Sequence, residues 1–215
     1  MHFSLNNVIP AILADRPSVG ISGIWGQSIH WKKGDFIKIT APSGTGKTTL
    51  VHLLYGLRKD YAGSILYEGK DIRQLNPNKL AKLRQQNWSI VFQDLRLFPN
   101  LTARENIELK RVLQDPIVTA EQINGMAQQL GILPILNQKA IHCSYGEQQR
   151  VCIIRALMQP FDFIIMDEPF SHLDKVNKKI AAALIESECK KRNAGLIITD
   201  LDKDEHFDYH VSLNL

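Results

Sequence analysis

Phe36-Ile-Lys-Ile-Thr40 runs straight into Ala41-Pro42-Ser43-Gly44-Thr45-Gly46-Lys47-Thr48-Thr49, and Leu50, Leu53, Leu54 and Leu57 follow at helical spacing. A strand, a glycine-containing turn and a helix start, in that order, aim several backbone N–H groups and the positive end of a helix dipole at one anion. Gly44 and Gly46 let the backbone come close, Lys47 would reach terminal phosphates, and the Thr48 hydroxyl suits Mg²⁺. The usual pattern begins with Gly. Ala41 is the smallest departure from it, harmless where φ is negative. Taken alone, the string also fits a turn that merely closes a strand–helix unit.

Two segments downstream decide against that plainer alternative. Phe163-Ile-Ile-Met is a continuous apolar run, as a strand covered on both faces requires, and it ends in Asp167-Glu168-Pro. Two adjacent carboxylates are costly to bury unpaired. Beside a phosphate loop, Asp167 fits a Mg²⁺ contact through water and Glu168 a group that polarises an attacking water. Ser144-Tyr145-Gly146-Glu147 is a capping box, with Ser144 at the helix N-cap and Glu147 at the third helical position.

Working outward, Phe3 to Ile9 and Gly23 to Trp31 are short extended segments that predict a small antiparallel sheet. Ser89 to Phe92 predicts a strand ending at Gln93. Thr102…Glu105 and Thr119…Gln122 are further capping boxes, the second leading a helix with Ile123, Met126, Ala127 and Leu130 on one face. Residues 95–145 therefore read as a helical insertion. Beyond it the spacing predicts helix 147–159, strand 163–166, helix 175–191, strand 195–199 and an edge strand from Tyr209 to Leu213. Alternating strands and helices imply a mainly parallel sheet covered on both faces. The expected architecture is α/β, one domain over 1–215. A P-loop NTPase (RecA-like) core (1–94 and 146–215) carries an N-terminal antiparallel β-subdomain and an inserted α-helical subdomain at about 95–145.

Composition narrows the function classes. The net charge is only +4, and the Lys/Arg runs at 178–179 and 190–192 suit solvated helix faces; no basic stripe interleaves with aromatics, so no nucleic-acid partner is expected. Cys143, Cys152 and Cys189 form no CxxC and suit a reducing compartment. No apolar stretch approaches the roughly 20 residues that cross a bilayer, and no basic segment precedes an apolar run at the N-terminus. A cytoplasmic protein is expected, unless a partner holds it at a membrane.

In this order and spacing, the segments resemble the nucleotide-binding subunit of an ATP-binding cassette (ABC) transporter over essentially all 215 residues. That family carries a Leu-Ser-Gly-Gly-Gln/Glu signature reaching the γ-phosphate of ATP held by the partner subunit, which the resemblance places at Ser144, Tyr145, Gly146 and Glu147. Gln93, in Val91-Phe-Gln-Asp-Leu-Arg-Leu-Phe-Pro, matches the loop that contacts Mg²⁺ and joins core to helical subdomain. Ser171-His-Leu-Asp174 matches the loop that crosses the dimer interface. Val91 to Ile107 is most similar to the branch serving lipoprotein release, macrolide export and cell division. The resemblance implies a homodimer sandwiching two ATP molecules head to tail, with Lys47, Thr48 and Asp167 of one subunit opposite Ser144 and Gly146 of the other. Its hydrolysis cycle would drive a separate integral membrane permease, leaving the chain peripheral on the cytoplasmic face. The rivals are a nucleotide-gated clamp with weak or no hydrolysis, a soluble ATPase working on DNA or ribosomes, and a small-molecule kinase. The soluble ATPase would bring a second cassette or a long coiled coil, and the kinase would leave the signature segment unexplained.

Four departures from the family pattern bear on activity. Cys143 and Tyr145 replace the first Leu and first Gly of the signature, while Ser144 and Gly146 remain. Ile12 falls where an aromatic ring usually covers adenine, so weaker or less base-selective binding is expected. Equal, tight affinity for ATP and GTP, unchanged in Ile12→Ala, would remove that role. After the last core strand the family has Thr-His-Asp, its His on the γ-phosphate, whereas this chain has Ile198-Thr-Asp200-Leu-Asp-Lys-Asp-Glu, in which Asp200 either replaces that His or follows its deletion. A carboxylate ~5 Å from the γ-phosphate would cost roughly 3 kcal/mol per unit charge at an effective dielectric near 20. Asp200 must therefore point away, or turnover suffers. His172 and His206 are the available stand-ins, though surface positions account for both. Slowed hydrolysis is expected, with Asp200→His raising turnover at least twofold. Lys38, in a strand that should be central and apolar, is expected to snorkel to solvent.

Overall fold

Alternating burial along β1 (His2–Pro10) marks a strand with one covered face. It pairs antiparallel with β2 (Ser28–Lys32), starting at His2 opposite Lys32. The computed structural model describes residues 1–215, the side chains of Pro17 and Ser18 apart. Next come β3 (Phe36–Thr40), α1 (Lys47–Leu54), β4 (Tyr61–Tyr67), β5 (Lys70–Asp71), α2 (Pro77–Gln86) and β6 (Trp88–Val91). The helices α3 (Ala103–Arg111), α4 (Ala120–Gln129) and α5 (Tyr145–Leu157) follow. The chain closes with β7 (Phe163–Asp167), α6 (Lys175–Arg192), β8 (Gly195–Asp200) and β9 (Val211–Asn214). One sheet has the order β2-β1-β4-β5 and the other β6-β7-β8-β3-β9, the second parallel throughout.

Apolar packing explains the layers. Phe3, Trp31, Trp88 and Phe163 fill the space between the two sheets. On the other face of the parallel sheet, Ile154, Leu157, Ile185 and Leu196 form a second core that runs on into Ile107 and Ile123 of α3 and α4. The helical segment is thus continuous with the core beneath it. All three capping boxes form: Thr102 with Glu105, Thr119 with Gln122 and Ser144 with Glu147.

Several boundaries differ from expectation. The helix α1 stops at Leu54, Gly56 turns left-handed (φ 70°) and Leu57 is exposed, so the fourth leucine is off the helical face. α5 begins and ends two residues earlier than 147–159, because Ser144 itself is the N-cap. The segment starting at Gly23 is not extended until Ser28, since the Ser22 hydroxyl accepts from Ile24 N and Trp25 N and holds a turn. β4, β5 and α2 lie where the sequence predicts nothing: β4 pairs across an irregular register between Asn6 and Ile9, and α2 buries only Leu80. The edge strand starts at Val211, Tyr209 being turned toward Asp204.

Lys38 overturns its expectation. The strand β3 lies second from the sheet edge, between β8 and β9, and the Lys38 side chain is 2% exposed. It does not snorkel. Its Nζ pairs with Asp200 Oδ2 at 3.2 Å and with Asp204, and lies 5.8 Å from the centre of the Tyr209 ring.

Candidate functional site

The loop after β3 reaches α1 through Gly46, whose φ of 111° excludes a side chain; a Cβ there would stand 2.7 Å from Leu13 Cδ1. Gly44 is also left-handed (φ 80°), and Ala41 is not, so the missing first glycine imposes no strain. No side chain caps α1, leaving its first N–H groups facing the loop's concavity. Lys47 Nζ donates to Ala41 O at 2.8 Å and Pro42 O at 3.1 Å, and Thr45 Oγ1 donates to Pro42 O at 2.7 Å.

The carboxyl ends of four parallel strands converge on this loop, where open α/β sheets bind ligands. Thr48 Oγ1 donates to Asp167 Oδ2 at 2.7 Å and lies 3.2 Å from Gln93 Oε1. Thr199 Oγ1, on β8, donates to Asp167 Oδ1 at 2.6 Å. Glu168 Oε1 is 3.4 Å from Lys47 Nζ, and Glu168 Oε2 accepts from Gln93 Nε2 at 3.3 Å. The oxygens of Thr48, Gln93 and Asp167 are hard donors gathered at one point, a set that fits Mg²⁺. Among the described residues no cluster of three His, Cys, Asp or Glu could hold a metal instead.

Glu168 has a φ of 48°, left-handed for a residue with a side chain. Such strain costs on the order of 1–3 kcal/mol and persists only where its surroundings fix it. Here Glu168 N donates to Thr199 O at 2.9 Å, and Glu168 O accepts from Gln149 Nε2 at 3.0 Å. The strained turn aims the carboxylate between Lys47 and Gln93.

A cavity of about 220 Å³ opens over these groups, with Ile12, Arg16, Gly44, Lys47, Thr48 and Glu168 in its wall. Ile12 stands at the rim, 58% exposed. Ser144, Tyr145, Gly146, Glu147 and Asp174 do not line it. Ser144 caps α5, its N and Oγ donating to Glu147 Oε2 at 2.7 and 2.9 Å. Tyr145 is largely exposed with its ring 5.0 Å from His172, and a Cβ on Gly146 would meet His172 O at 3.0 Å. Asp174 caps α6, and donation from the backbone and side chain of Asn177 holds its carboxyl below the usual range. The residues named from sequence thus fall into two groups: one around the loop, one at the start of α5 and the turn facing it.

Asp200 belongs to neither group. Its Oδ2 accepts from Lys38 and its Oδ1 from Leu201 N at 2.8 Å. His206 packs edge-on against Phe170 at 5.3 Å, and neither His206 nor His172 lines the cavity. Three residues at the site were missed by the sequence. Gln149, 2% exposed, ties α5 to Glu168 O and accepts from His172 N at 3.0 Å; its only signal is a polar side chain on an apolar helix face. Thr199 and Arg16 carry no local signal.

The family model for the ABC transporter matches residues 26–171. The chain is 36% identical over 177 residues to the lipoprotein-releasing system ATP-binding protein LolD of Buchnera aphidicola, covering 81% of this chain and 77% of that protein. It is 34% identical over 187 residues to the macrolide export ATP-binding/permease protein MacB of Haemophilus ducreyi, covering 85% of this chain and 27% of that protein. Among solved structures, the dimeric structure of a bacterial ABC transporter cassette superposes with a TM-score of 0.79 at 25% identity, over 93% of this chain and 88% of that one. A post-hydrolysis state of the cassette, bound to ADP and Pi, gives 0.77 at 26% identity with the same coverage.

Proposed function

Because the chain belongs to the ABC transporter family, we propose that it is an ATP-binding subunit that hydrolyses ATP in a head-to-tail dimer and drives a separate membrane permease. The split of the site carries this reading. Lys47, Thr48, Gln93 and Glu168 line one cavity, with Asp167 behind them on Thr48, while Ser144 and Gly146 sit outside it at an exposed helix start. A second copy would bring that helix start over the loop, where its N-terminal dipole favours phosphate. The dimeric and ADP-bound structures of similar cassettes support the same arrangement.

Phosphoryl transfer to water asks mainly for positioning and charge neutralisation. The loop's N–H groups and Lys47 hold the phosphates, Gln93 and Glu168 orient the attacking water, and Glu168 takes its proton. Thr48, Gln93 and Asp167 would hold Mg²⁺, which would supply neutralisation of phosphate charge. No helix among the described residues is long and apolar enough to cross a membrane; in this reading the permease supplies the membrane contact. LolD and MacB are named for lipoprotein release and macrolide export, which supports a permease of that branch as the partner. A nucleotide-gated clamp is the second reading, favoured by one observation: Asp200, at the position the family gives to His, is held by Lys38.

Sedimentation of the Glu168→Gln chain with Mg²⁺ and ATP tests the sandwich. A monomer-to-dimer shift with ATP, absent with ADP and abolished by Ser144→Arg, is expected. A monomer under all conditions overturns the dimer.

A further inference from the structure

Lys47 and Arg16 are the only cations lining the cavity among the described residues. Lys38 is bound to Asp200, and His172 and His206 pack on aromatic rings elsewhere, so none of these supplies a second positive charge there. Arg16 Nη1 donates to Gly44 O at 2.9 Å, which fixes the guanidinium against the outer turn of the phosphate loop. A guanidinium has five N–H donors in a planar fork and stays charged at any working pH. One donor is spent on Gly44 O, and among the described residues Arg16 makes no ion pair. A fork with free donors, anchored on the loop that cradles phosphate, matches phosphate oxygens in geometry and charge.

We propose that Arg16 is a second phosphate-binding cation of the nucleotide site, contacting the terminal phosphate and favouring nucleoside triphosphate over diphosphate. This rests on the ATP-binding reading above. It also accounts for how the site manages without a histidine at position 200: the neutralising charge enters from the segment after β1 rather than from the end of β8. The exposed aliphatic Ile12 beside it offers a base little more than van der Waals cover, so recognition shifts from base to phosphate.

The test is calorimetric titration of wild type, Arg16→Ala, Arg16→Gln and Arg16→Lys with Mg-ATP, Mg-ADP and inorganic triphosphate. Arg16→Ala and Arg16→Gln are expected to weaken ATP and triphosphate about tenfold and ADP less than threefold, with Arg16→Lys recovering part of the loss. The Gln variant removes the charge but keeps an amide donor, and the Lys variant keeps the charge without the planar fork. Wild-type affinity in Arg16→Gln, or equal losses for ATP and ADP, overturns the assignment. Failure of the wild type to bind ATP at all would instead overturn the reading on which it rests.

Discussion

Lys38→Met is expected to lower stability by about 3 kcal/mol, and the melting temperature by roughly 6–12 °C for a chain of this size. The loss comes less from the ammonium than from what it leaves behind. Asp204 is 14% exposed and Asp200 26%, and both face Lys38, itself 2% exposed. Without it two carboxylates share one half-buried site. Asp204 keeps Tyr209 Oη at 2.8 Å and His206 N at 2.9 Å, which holds the penalty at the lower end of the range for broken buried pairs. Converting Lys38→Met, Asp200→Asn and Asp204→Asn together should recover most of the loss, since buried ion pairs and neutral replacements are often near balance. Urea unfolding of the single and triple variants checks this. A single-variant loss under about 1 kcal/mol would show that the pairs contribute little.

Acid titration gives the same network a second signature. Burial alone would raise the Asp204 carboxyl. Donation from Lys38 and the His206 backbone N–H, with the charge of Lys38, outweighs burial and the net displacement is downward. A depressed folded pKa contributes stability above the usual carboxylate value of about 3.9 and loses it as pH falls through the folded value. Wild type should therefore lose stability on acidification below about pH 4, and Lys38→Met should lose less over that window.

How far the sequence reached depends on how local each feature is. A strand, a turn with two left-handed glycines and a helix start follow one another in the chain, so the local structure of Ala41 to Thr49 was legible. The capping boxes at Thr102, Thr119 and Ser144 are closed by residues three positions away, and all three form. Lys38 could not be read this way. Its partners are 162 and 166 residues distant, brought to it by the parallel pairing of β3 with β8 and the turn after it. Two features that look independent in the sequence, a lysine in a core strand and an aspartate just after the last core strand's Thr199, are one ion-paired unit in the fold. β4 was missed for a related reason: its Gly63, with φ 79°, faces the carbonyls of Asn6 and Asn7 across the irregular pairing, a fit that exists only once β1 is beside it.

Glu168→Gln should lower ATP turnover by ~10²–10⁴, the usual scale for a general base, while leaving ATP binding within about threefold. The amide keeps the size of the side chain and can still meet Gln93, but it cannot take a proton from water. The strained backbone at Glu168 is pinned by Thr199 O and Gln149 Nε2, neither of which touches the carboxylate, so its geometry should survive the change. Asp200→His is the informative companion. From sequence it should raise turnover at least twofold, by restoring a group for the γ-phosphate. The fold revises that expectation, because a side chain at position 200 meets the buried ammonium of Lys38, and an imidazole there would face a cation rather than a phosphate. Asp200→His alone should change turnover less than twofold and cost stability, whereas Asp200→His with Lys38→Met frees the imidazole to turn. Steady-state hydrolysis by the four chains separates the cases. A large gain from the single substitution would show that the Lys38 pair yields readily and that turnover is limited by the missing histidine. A wild-type rate no higher than that of Glu168→Gln would give the clamp reading precedence over the engine.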